Sequence, residues 1–159
     1  MADRNDLISI IKVPVLIALA VTVLRATVEA LGAPSAVSTI LGVAWLHILF
    51  PVYFAMKIRE LRFERPFLTL IKITVMWAVP VRLAIALTYV LGYVYQIDSL
   101  RFQADRLGPV GGDVTPLQGY LMLPLLNFTS WMVGALIMAA ITGGITLIVK
   151  RQSAAKSLV

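Results

Sequence analysis

Four long apolar runs, separated by short polar connectors, dominate this chain of 159 residues. They cover about residues 7–31, 37–58, 67–96 and 118–149. A hydrocarbon layer ~30 Å thick is crossed by roughly 20 apolar residues in a helix, since each residue advances about 1.5 Å. Each run meets that length. No water reaches the backbone inside a bilayer, so every N–H and C=O must be bonded within the segment, and such runs fold as helices. The pattern predicts an all-α, polytopic integral membrane protein: a four-helix transmembrane bundle forming a single membrane domain over 1–159. Composition agrees, with 60% hydrophobic and only 14% charged residues, against about a quarter charged in soluble domains.

The connectors are "GAPS" at 32–35, "RELRFERP" at 59–66 and a longer loop over 97–117 containing "GPVGGDVTP". Gly and Pro punctuate the first and third, as loops require. No internal repeat or low-complexity segment is evident. Met1 to Asp6 is polar with mixed charge, and no small-residue cleavage motif follows, so 7–31 reads as a retained span rather than a signal peptide. The chain has no cysteine, which excludes disulfides and thiolate metal sites.

Orientation follows from Lys and Arg in short loops. Arg4, Lys12, Lys57, Arg59, Arg62, Arg65, Lys72, Lys150, Arg151 and Lys156 fall on one side, and only Arg101 and Arg106 on the other. Both termini are therefore expected in the cytoplasm (N-in/C-in), in a bacterial-type inner membrane. The net charge of +6 is explained by this topology and by attraction to anionic lipid headgroups, with no nucleic acid needed. The charged 57–66 segment suits a helical turn at the surface. Across the layer, Asp98, Arg101, Asp105 and Arg106 alternate with Leu100, Phe102 and Leu107, which suits a short interfacial helix. Tyr89, Tyr93, Tyr95 and Tyr120 gather at that boundary like an aromatic belt.

Two of the fourteen cations, Arg25 and Arg82, remain deep inside spans, away from their ends on the basic side. Helix rise places Arg82 about 18–20 Å from the cytoplasmic end and Arg25 some 20–23 Å. His47 and Asn127 come out at similar depth, and Glu29 near the far boundary. A charge at mid-span costs about 2.5–3.5 kcal/mol on insertion scales. Lys12 and Lys72 can snorkel; Arg82 is too deep and must face protein, water or an anion. Ala78, Ala86, Tyr89 and Tyr93 share its helical face, and Pro80 predicts a kink nearby. Arg25 and Glu29 are four residues apart and can pair directly.

Three readings of this polar cluster stay open. Glu29 is shared between Arg25 and Arg82, with Asn127 and Tyr89 completing a neutralised network. The surplus cation holds a small anion, a lipid phosphate or a cofactor carboxylate. Or Glu29 and His47 relay protons. His47 is the only histidine, so bis-histidine haem is excluded; it bonds a carbonyl or hydroxyl, or ligates a pigment. No cofactor is assigned and no metal site is expected.

The fourth span carries Ala135, Ala139 and Gly143 every fourth residue, a small-xxx-small stripe that lets another helix approach closely. That partner is another helix of this chain, a second copy or a different protein. No P-loop, HExxH, CxxC or EF-hand pattern occurs, and no catalytic residue set emerges. The expectation is a non-catalytic membrane subunit or scaffold, contacting lipid and a protein partner or second copy through the fourth span. The alternative is a small transporter or channel that binds an anionic solute or amphiphile at an Arg25/Arg82 pocket. Alternating access usually shows repeated halves and broken helices; Pro80 offers one break without a symmetric mate.

Overall fold

The structure, a computed structural model, describes residues 4–149, with side chains from Leu7 onward. The basic residues Lys150, Arg151 and Lys156 and the side chain of Arg4 lie outside the described residues. Among those described, the chain is all-helical with no strand. The helices are α1 (Arg4–Ala30), α2 (Ser35–Ile40), α3 (Leu46–Glu60), α4 (Pro66–Tyr95) and α5 (Leu123–Met138). Four stretches are long and apolar enough to cross a membrane: Leu7–Ala30, Ser35–Glu60, Pro66–Tyr95 and Gln118–Val149. They fall within a few residues of the expected spans.

The second of these is not one helix, contrary to the uninterrupted span expected over 37–58. α2 stops at Ile40, and a 3₁₀ turn, Val43–Trp45, leads into α3. Ser35–Ile40 is rich in β-branched and hydroxyl residues, which are mediocre helix formers. Leu41 N–H still reaches the Val37 carbonyl, but Gly42 N–H tightens onto Thr39 at 3.0 Å. A Cβ on Gly42 would sit 2.8 Å from the Thr39 carbonyl oxygen, so the tight turn needs glycine there. α4 runs on through Pro80, where the sequence predicted a kink, without a break in the helix. Two π-helical segments, Gln118–Met122 and Ala139–Gly143, flank α5, each a local widening by one residue per turn.

The chain divides into two compact units. Among the described residues, the first comprises 4–16, Ala44–Val79 and 132–149. Its core is Phe54, Ile58, Leu70, Ile73, Trp77 and Leu147, all fully buried. Trp77 is the hub: the rings of His47, Phe50 and Phe54 meet it at 4.9, 5.4 and 6.1 Å, each edge-on. Arg59, in the last turn of α3, donates from Nη2 to the Leu147 carbonyl at 2.7 Å. That bond satisfies a carbonyl near the end of the last apolar stretch.

The second unit comprises Ile17–Val43 and Pro80–Trp131. Its 97–117 loop is folded on itself. Ala104 N–H donates to the Val110 carbonyl at 2.9 Å and Val110 N–H to the Phe102 carbonyl at 2.7 Å. Only one 3₁₀ turn, Ala104–Arg106, forms where a short interfacial helix was expected. The reason is Phe102, which is drawn inward and fully buried and so sets the path of the loop. Tyr95 and Tyr120 are exposed, as a belt would have them, whereas Tyr89 is buried.

Candidate functional site

The second unit gathers most of the polar residues singled out in the sequence. α1 supplies Arg25 and Glu29, whose four-residue spacing brings them onto one face. Arg25 Nε donates to Glu29 Oε1 at 2.9 Å. The other carboxylate oxygen is taken by Arg101, whose Nε donates to Oε2 at 2.7 Å. The Glu29 side chain is 1% exposed, against 23% for Arg25 and 14% for Arg101. Glu29 is the one buried acid among the described residues.

The expected sharing of Glu29 between Arg25 and Arg82 is therefore replaced by sharing between Arg25 and Arg101. Arg101 arrives from the loop, carried inward beside the buried Phe102. Its guanidinium carbon stacks 4.2 Å over the Phe102 ring and 5.6 Å from the Tyr89 ring. Burial pushes the Arg101 guanidinium below its ordinary value, and the Glu29 carboxylate pulls it back up. It stays protonated at neutral pH, as arginine does in proteins.

Arg82 lies seven residues before Tyr89 on α4, about 10 Å lower along the helix, and takes a different partner. It is buried, with its guanidinium 4.7 Å over the Trp131 ring. A desolvated cation–π contact of this kind contributes about 2 kcal/mol. Asn127 donates from Nδ2 to the Tyr89 hydroxyl at 3.0 Å. Tyr89 links two parts of the cluster: its hydroxyl accepts from Asn127 and its ring lies 5.6 Å from the Arg101 guanidinium carbon.

Within the cluster itself, three arginines (Arg25, Arg82 and Arg101) face one buried carboxylate, Glu29, although Asp98, Asp105, Asp113 and Arg106 bring the second unit as a whole to charge balance. Two buried donors and acceptors of the cluster also make no hydrogen bond: Arg101 Nη2 and Asn127 Oδ1. Ser38 Oγ, on α2 of the same unit, is a third. Leaving a buried group of this kind unmet costs about 1–3 kcal/mol, and more when it is charged. The arrangement can therefore accept an anion at Arg101, whose Nη2 is the unmet donor; the unmet Asn127 Oδ1 only accepts and would not bind one.

His47 belongs to the first unit, buried beside Trp77. Among the described residues, no three His, Cys, Asp or Glu side chains come together as metal ligands do. Ala135, Ala139 and Gly143 are buried inside the first unit. A Cβ on Gly143 would fall 2.9 Å from the Pro51 carbonyl oxygen and 2.8 Å from Leu70 Cδ2. The small-residue stripe thus accommodates α3 and α4 of this same chain.

Sequence reasoning missed Arg101, which it counted as a loop cation. The signal was present in weak form: an arginine directly before an aromatic residue, in a loop longer than a hairpin between helices needs. Nothing local says that such a loop folds inward. No family model matches this chain, and no curated protein or solved structure is significantly similar to it.

Proposed function

We propose that this chain is an integral membrane protein, with both termini in the cytoplasm of a bacterial-type inner membrane, that binds an anionic solute or amphiphile at Arg25, Arg82 and Arg101 and takes part in its transport. The observation that carries this reading is Arg101 Nη2, a buried cationic donor that makes no hydrogen bond beside a carboxylate already shared by two arginines. The interrupted second stretch adds support. Irregular backbone at membrane depth is tolerated where it is buried in protein or lines a cavity, and transporters commonly place ion or substrate sites at such breaks. The subunit reading drew on the fourth span, whose Ala135, Ala139 and Gly143 are buried within this chain.

The test is thermal unfolding of the full-length protein in a non-ionic detergent. Phosphate and hexanoate serve as anions, and hexanol as the neutral counterpart. A ligand present at 100 times its Kd stabilises by about 2.7 kcal/mol, so a binding anion should raise Tm by several degrees while hexanol does not. Arg101→Gln should remove most of that rise. No shift with either anion, or a shift in Arg101→Gln as large as in the wild type, would overturn the proposal.

A further inference from the structure

The second unit also holds a partly open cavity of about 480 Å³. Ala26 and Ala30 of α1, Ala84 and Leu87 of α4 and Phe102 of the loop line it. Its polar lining is silent. Thr22, Thr27 and Thr88 all border it, but each hydroxyl donates back to its own helix: to Ala18 at 2.8 Å, Val23 at 2.9 Å and Ile85 at 2.6 Å. Apart from the exposed Tyr95 at its edge, nothing in the wall asks for a hydrogen bond, so the cavity suits hydrocarbon.

Phe102 joins this cavity to the arginine cluster. Its ring lines the cavity and also carries the Arg101 guanidinium, 4.2 Å away. An apolar compartment and a surplus cation thus meet across one aromatic ring. Volume limits the tail. An apolar cavity of ~150 Å³ holds one benzene; three times that space takes one chain on the order of 16 carbons.

We infer that the ligand is a single-chain anionic amphiphile of the long-chain carboxylate type, with its tail in the cavity against Phe102 and its head on Arg101. This rests on the anion-binding reading above and names the class of ligand. The free Arg101 Nη2 matches a carboxylate, since guanidinium and carboxylate geometries pair.

The experiment uses full-length protein in nanodiscs of phosphatidylcholine, with radiolabelled palmitate, hexadecanol and hexanoate as probes and empty discs subtracted. Palmitate is expected to bind at least tenfold tighter than either of the others. Ala84→Phe and Ala26→Phe fill the cavity from different helices. Either one, if it keeps the unliganded Tm of the wild type, should weaken palmitate at least tenfold and leave hexanoate unchanged. Arg101→Gln should weaken both acids and leave hexadecanol unchanged. If palmitate binds no tighter than hexanoate, or both cavity-filling variants bind it normally, the tail assignment is wrong, while loss of hexanoate in Arg101→Gln keeps the anion site. If both acids bind Arg101→Gln as they bind wild type, the anion site fails and this inference fails with it.

Discussion

Glu29 accepts one charged hydrogen bond on each oxygen, from Arg25 at 2.9 Å and from Arg101 at 2.7 Å. Its side chain is 1% exposed, so these two donors take the place of water around the carboxylate. Removing one partner of a buried pair typically costs 3–5 kcal/mol, because the remaining charge stays desolvated. Arg25 keeps some contact with its surroundings, so the lower end applies. Glu29→Gln should therefore destabilise by about 3 kcal/mol, read as a fall in Tm in detergent. A change below half of that would mean the guanidiniums find other partners and the acid is not central. The Arg25–Glu29 pair was legible in the sequence because helix geometry alone places residues four apart together. The Arg101–Glu29 pair spans 72 positions, and no local rule reaches that far.

At the scale of elements, helices announce themselves and their interruptions do not. Hydrophobic length located every long stretch, yet the break at Leu41–Gly42 follows from one glycine turning tightly under Thr39, which hydropathy does not register. The Ala135/Ala139/Gly143 stripe was legible as a close-packing face; its partner was not, because small residues fit any helix equally well. Gly143→Leu tests the assignment to this chain. The new side chain would meet the Pro51 carbonyl, which cannot yield, and Leu70, which can shift. Overpacking of this kind costs about 1–3 kcal/mol. The expected outcome is a lower Tm and no change in oligomeric state by native mass spectrometry. If the stripe served a second copy instead, Gly143→Leu would dissociate an oligomer and leave the monomer's Tm in place.

For the whole molecule, the proposed topology is directly testable because the chain lacks cysteine, so each introduced thiol reports alone. Arg62 and Asp113 are both exposed. Arg62→Cys should react with a membrane-impermeant maleimide only after the cells are opened, and Asp113→Cys in intact cells. The reverse labelling pattern would invert the orientation, and equal labelling of both would remove the four-crossing topology. The apolar side chains left exposed along Gln118–Val149, among them Val133, Ile137, Ile141 and Ile145, exceed what a soluble monomer tolerates in one contiguous face and support a lipid environment. Sequence by itself determined the all-helical class and the positions of the four long apolar stretches, since backbone satisfaction and hydrophobic length are summed residue by residue along the chain. It also determined the Arg25–Glu29 pair, which one helix turn dictates. Only the tertiary structure decided that Arg101 completes the cluster, that Arg82 rests on Trp131 and that the small-residue stripe is filled from within. Each of those depends on where a distant segment folds, and burial of one aromatic ring, Phe102, is what drew that loop inward.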